Sequence, residues 1–169
     1  MLKFETCSPE ETHKIGEEMG RVFQEGFLVC LHGPLGAGKT HITQGFAKGL
    51  GINHHISSPT FNIIKEYHDG RIPLYHMDLY RLTEPEELID LGYEEYIYGK
   101  GVTVIEWADK AKDMFPEEKL EINLEYGQDI DTRVFQLIGT GKRYNKFINI
   151  LKDKIIRKSN LDDEIGSGR

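Results

Sequence analysis

Gly33-Pro34-Leu35-Gly36-Ala37-Gly38-Lys39-Thr40 is the stretch on which the fold turns. It fits G-x-x-x-x-G-K-[ST] at every fixed position. Just before it, Phe27-Leu28-Val29-Cys30-Leu31 is a short apolar run of the kind a buried strand uses, and after it Thr40 to Leu50 reads as a helix that Gly51 stops. Strand, glycine turn and helix, in that order, let backbone N–H groups converge on phosphate oxygens while the helix N-terminus adds its partial positive charge. In such a cradle Lys39 reaches the β- and γ-phosphates of a nucleotide and the Thr40 hydroxyl binds Mg²⁺. The cofactor-binding positions are therefore Pro34, Leu35, Gly36, Ala37, Gly38, Lys39, Thr40 and His41.

Nucleotide hydrolysis also needs carboxylates at the ends of neighbouring strands. Glu106 closes the apolar run Val102 to Ile105 and is expected to hold Mg²⁺ through water or to orient the attacking water. Asp78, in His76-Met77-Asp78-Leu79-Tyr80-Arg81, is expected to bind the metal from an adjacent strand. Thr60, in Ser58-Pro59-Thr60-Phe61, lies where a segment that senses the γ-phosphate belongs. Thr40, Asp78 and Glu106 form the expected metal set, and Glu106, Lys39 and Thr60 the catalytic one. No Asn-Lys-x-Asp or Thr-Lys-x-Asp signature follows a strand, so ATP is favoured over GTP. Trp107 and Tyr80 read as packing aromatics, and His54 and His55 lack partner ligands at zinc spacing.

Around this centre, Ser8-Pro9-Glu10-Glu11 carries the cap, proline and glutamate of a helix start, which predicts a helix to about Gln24. Phe61 to Tyr67 and Ile72 to Tyr80 read as two strands of a tight hairpin turning at Asp69-Gly70. Thr83-Glu84-Pro85-Glu86 predicts another helix, through about Leu91. Leu120 to Tyr126 and Arg133 to Ile138 alternate as half-exposed strands do, and Phe147, Ile148, Leu151, Ile155 and Ile156 share one helical face. These elements predict an α/β fold of three layers, a P-loop NTPase with a mainly parallel central sheet and antiparallel edge strands. Residues 1–141 form the P-loop domain, 142–158 a basic C-terminal helix packed on or extending it, and 159–169 a disordered tail.

The chain has 169 residues and a formal charge of −7, which suits one soluble domain and argues against a face that grips nucleic acid throughout. The charge is unevenly spread. Residues 1–83 carry −1, residues 84–131 carry −11 and residues 132–169 carry +5, so the acidic middle and basic end form separate surfaces. Glycine supplies 18 residues, above the usual ~7%. Cys7 and Cys30 have neither CxxC spacing nor neighbouring ligands, and no apolar run is long enough to span a bilayer, so reduced thiols in a cytoplasmic protein are expected.

GPLGAGKT at 33 to 40, SPTF at 58 to 61, YHMDLYRL at 75 to 82 and VIEWADK at 104 to 110 together resemble the TsaE family, formerly YjeE, over about residues 5 to 140. The resemblance implies an ATPase that acts with TsaD and TsaB in making N6-threonylcarbamoyladenosine at position 37 of tRNAs reading codons that begin with adenine. In that family the ATP cycle resets or regulates the TsaB-TsaD complex, and tRNA is met through that complex. The family's phosphate loop falls on Gly33 to Thr40, its switch-like threonine on Thr60, its motif aspartate on Asp78 and its strand glutamate on Glu106. Tyr80, Arg81 and Trp107 match further motif positions. The basic end from Arg143 to Lys158 is longer than the resemblance leads one to expect, so its role is not inherited, and it is where direct RNA contact stays open.

The P-loop also admits other readings. A small-molecule kinase shares it, but the stretch from Thr83 to Gly99 has six acids and no lysine or arginine, a poor lid for phosphates. A nucleotide-gated scaffold would need no hydrolysis. The favoured reading is a Mg-dependent ATP hydrolase that is slow without its partners, since an unsupplied arginine or unordered switch costs about 10³ to 10⁵ in rate elsewhere.

Overall fold

The computed structural model describes residues 1–166, with side chains described through residue 155. Its strands are β1 (Leu2–Thr6), β2 (Leu28–His32), β3 (Ile64–Tyr67), β4 (Leu74–Asp78), β5 (Val102–Glu106), β6 (Leu120–Tyr126) and β7 (Arg133–Gly139). Its helices are α1 (Pro9–Val22), α2 (Lys39–Gly49), α3 (Glu87–Asp90), α4 (Tyr93–Ile97) and α5 (Lys142–Gly166), with a 3-10 segment at Ala108–Met114. The seven strands form one sheet in the order β1-β7-β6-β2-β5-β4-β3. β2 is paired in parallel with both β5 and β6, and β5 with β4, while β1, β7 and β3 add antiparallel pairs at the two edges. This is the α/β P-loop architecture expected from the glycine loop.

Side chains on a strand alternate between faces, and the core divides accordingly. Val29 and Leu31 of β2 join Val102 and Val104 of β5 under α1, α2 and α5. Leu28, Cys30 and Ile105 point the other way, into a second cluster with Leu88, Tyr93, Ile97 and Ala108 from α3, α4 and the 3-10 segment. These are the three layers.

α1 starts as its sequence demands: Glu11 N–H donates to the Ser8 hydroxyl at 3.1 Å, with Pro9 at the first helical position. α1 and α2 then meet through backbone. A Cβ on Gly20 would lie 2.3 Å from Phe46 O, and one on Gly49 2.1 Å from Glu17 O. Gly16 and Gly45 face the same contact, so part of the glycine excess serves helix packing.

Three expectations are corrected. The strand expected from Phe61 begins only at Ile64, because Asn62 and Ile63 N–H both turn back to Pro59 O. The hairpin is not tight: six residues, 68–73, separate Tyr67 from its register partner Leu74. That loop is anchored elsewhere, Arg71 N–H donating to Leu50 O and the Arg71 guanidinium to Gly20 O and Phe23 O. The helix expected from Thr83 shrinks to the single turn α3, because the Glu87 carboxylate takes Thr83 N–H, the Thr83 hydroxyl and Glu84 N–H and holds that segment as a turn.

α5 packs Tyr144, Phe147, Ile148 and Leu151 into the core beside Phe23 and Phe27. Its backbone stays helical to Gly166, across much of the segment expected as a tail from Ser159; residues 142–165 contain neither glycine nor proline to stop it. Residues 167–169 of that expected tail lie outside the described residues. No helix of the described residues is long and apolar enough to cross a membrane.

Candidate functional site

The glycine loop leaves the C-terminal end of β2 and enters α2 at its first turn. Gly38 caps α2 at φ +105°, a conformation that side chains rarely adopt. At Gly33, φ +144°, a Cβ would strike Leu124 O at 2.4 Å, so the loop lies directly on β6. Two side chains from β6 and β7 secure it: the Tyr126 hydroxyl donates to Leu35 O at 2.6 Å and Arg133 Nε to Ala37 O at 3.0 Å.

Lys39 is buried, and its Nζ donates to Gly33 O at 2.7 Å and Pro34 O at 2.9 Å while standing 3.9 Å from the centre of the Trp107 ring. Burial pushes its ammonium below the usual lysine value, against the opposing pull of Glu106, Asp78 and Asp109. Trp107 presents that ring from a left-handed backbone, φ +59°, and tilts against Tyr80 at 5.1 Å between centroids.

The parallel register of β4 and β5 sets Asp78 directly beside Glu106. Both carboxylates are 3% exposed, and each is held by hydroxyls. Glu106 Oε1 accepts from the Thr40 hydroxyl at 2.8 Å and from His76 Nε2 at 2.8 Å. Asp78 Oδ2 accepts from Ser58 Oγ at 2.5 Å and Thr60 Oγ1 at 2.9 Å, and Oδ1 accepts from Tyr80 N–H at 2.9 Å. A turn holds this short segment, which ends on Ile63 at φ +64° and leaves Phe61 82% exposed under the Arg81 guanidinium.

These groups line one cleft of about 530 Å³, which brings together Leu35, Gly36, Gly38, Lys39, Thr40, His41, Thr60, Asp78 and Glu106. Ser58, Gln44, Tyr80 and Trp107 join them. Pro34 and Ala37 are not in the lining. Ala37 is fully buried with its N–H turned to Pro34 O at 3.2 Å, and Pro34 borders a separate hollow with His32 and Asp109. His41 reaches across to α1, its Nε2 donating to Pro9 O at 2.8 Å. Tyr80 and Trp107, read from the sequence as packing, pack on each other and border the cleft as well. Ser58 and His76 were missed as site residues. The serine in SPTF was a legible signal; His76 had only its place two residues before Asp78.

Residues 6–135 match the family described as Threonylcarbamoyl adenosine biosynthesis protein TsaE. The chain belongs to the TsaE family. It is 43% identical to the tRNA threonylcarbamoyladenosine biosynthesis protein TsaE of Bacillus subtilis over 162 residues, covering 96% of this chain and 98% of that one. The protein of the same name from Treponema pallidum is 46% identical over 117 residues, 69% of this chain and 86% of that one. A crystal structure of Bacillus subtilis YdiB superposes with a TM-score of 0.80 at 40% identity, covering 90% of this chain and 95% of that one. The TsaE match spans the glycine loop, the Ser58 to Thr60 turn, both carboxylates and Trp107, so the whole cleft lies inside the family's matched region.

Proposed function

We propose that this TsaE-family chain is a Mg-dependent ATP hydrolase of tRNA threonylcarbamoyladenosine biosynthesis, working with TsaB and TsaD and meeting tRNA through them. The observation that carries the reading is the shared cleft: a phosphate loop with a desolvated lysine faces two adjacent buried carboxylates, both ligated by hydroxyls. An all-oxygen donor set with one or two carboxylates suits Mg²⁺, which completes its shell with phosphate and water.

Thr40, Asp78 and Glu106 would hold the metal, and Lys39 with the N-terminus of α2 would hold the phosphates. Magnesium held there would supply charge neutralisation at the phosphates. Lys39 exchanges the carbonyls of Gly33 and Pro34 for phosphate oxygens, which rewards an ammonium that burial already disfavours. With the ion bound, the Thr40 hydroxyl would turn from Glu106 to it, and Glu106, holding magnesium through water, would be placed to accept a proton from the attacking water. Thr60 and Ser58, held by Asp78, couple the exposed Phe61 turn to the state of the cleft. The described residues place no arginine in its lining, which supports slow turnover by the isolated chain and help from a partner.

ATP turnover measured with and without TsaB-TsaD and tRNA tests this reading. Slow hydrolysis alone and a marked rise in the assembly are expected. Fast turnover by the pure chain, indifferent to the other proteins, would sink the partnership.

A further inference from the structure

His76 lies in the middle of β4, between Lys65 of β3 and Val104 of β5 in the register, and is fully buried. Strand alternation puts it on the face that carries Asp78 and Glu106. Its Nε2 stands 2.8 Å from Glu106 Oε1. Facing a carboxylate, that nitrogen carries the hydrogen. Nδ1 is buried with no hydrogen-bond partner. Such an orphan costs about 1–3 kcal/mol, and a valine or leucine would fill a central strand without it. Packing alone does not account for a histidine here.

What the imidazole does is fix a carboxylate. Both donors on Glu106, the Thr40 hydroxyl and His76 Nε2, fall on Oε1, which sets the carboxylate plane of a residue that lines the cleft. A hydroxyl that turns to a nucleotide-bound metal gives up its hold on Oε1. The imidazole, walled in on a central strand, does not. We propose that His76 is a positioning residue for hydrolysis: its Nε2–H holds the plane of the Glu106 carboxylate through the cycle, after Thr40 has let go. This rests on the ATPase reading of the cleft.

The test uses the full chain with TsaB-TsaD and tRNA, and compares wild type, His76→Phe and His76→Gln. Glutamine places an amide N–H about where Nε2 stood; phenylalanine keeps the ring and removes the donor. For His76→Phe, kcat should fall roughly 10- to 100-fold, as for lost outer-shell partners of metal sites, with KM and the Kd of a non-hydrolysable ATP analogue within about twofold. His76→Gln should regain most of that loss. Long-range ¹H–¹⁵N imidazole spectra of the chain should show His76 as the Nε2–H tautomer, with a resonance that moves in Glu106→Gln. Wild-type kcat in His76→Phe, an equal fall in both variants, a KM that rises by the same factor as kcat falls, or an Nδ1–H tautomer would each overturn the proposal. If His76→Phe does not fold, the glutamine variant and the spectrum decide. If wild type hydrolyses no ATP in any assembly, the ATPase reading fails on its own, and the spectrum still judges the hold on Glu106.

Discussion

Asp78 and Glu106 sit side by side in register yet hold different partners. Glu106 takes the hydroxyl of the glycine loop itself, whereas Asp78 takes the two hydroxyls of the Ser58 to Thr60 turn. Lys39→Ala should weaken ATP binding by about 100-fold or more, which is about 2.7 kcal/mol, because it removes the one buried cation of the cleft; nucleotide titration by calorimetry checks it. Glu106→Gln should keep binding within a few-fold and lose turnover by about 10² or more, measured as phosphate release in the full assembly. A scaffold gated by nucleotide alone would instead let Glu106→Gln support tRNA modification. Cys30 supplies a simpler check. Burial raises its thiol to about 12, while Cys7 is exposed, so iodoacetamide at pH 8 should label one thiol per native chain and two after unfolding. At this scale the sequence was readable where a motif fixes spacing, at Lys39, Thr40, Asp78 and Glu106. Ser58 and His76 owe their partners to how β4 lies against β5 and how a short turn folds back, and neither follows from spacing along the chain.

Elements with local signals were legible, and those defined by distant partners were not. α1, β2 and α2 fall within about two residues of their expected bounds, since cap, apolar run and stop all lie within the segment. β1 gave no signal of its own. It is a half-exposed edge strand whose Phe4 stacks on Phe135 of β7 at 5.1 Å, more than a hundred residues away. The hairpin loop at 68–73 failed as a tight turn because Arg71 ties it to the ends of α1 and α2. Two substitutions weigh element contacts. Tyr144→Phe leaves the buried Leu28 N–H at the start of β2 without the hydroxyl it donates to at 3.0 Å, and should cost about 1–3 kcal/mol by denaturant titration. Gly20→Ala gains ~1 kcal/mol of helix propensity but drives a methyl into Phe46 O, where overpacking costs about 1–3 kcal/mol. A lower midpoint is expected.

Across the whole molecule, charge follows the layers. The acidic helices α3 and α4, with the charge-balanced 3-10 segment, cover one face of the sheet, and the basic α5 packs with α1 on the other. A chain of formal charge −7 therefore presents two unlike surfaces, a division visible in the sequence as segments but assigned to faces only by strand alternation. α5 also completes the core: four of its side chains are buried, at about 2 kcal/mol each, together about 8 kcal/mol, within the ~5–15 kcal/mol that holds a domain folded. A chain ending at Gly141 should thus show no cooperative unfolding transition in calorimetry. The contact between α1 and α2 reaches furthest. At Gly16, Gly20, Gly45 and Gly49 the helices touch backbone to backbone, so every codon change enlarges the residue and none can trim it. Variation there runs in one direction only, levering α1 away from α2 and from the His41 ring that grips its first turn beside the glycine loop; a deep mutational scan would find these four sites as intolerant as Lys39, with no charge or hydroxyl to explain why.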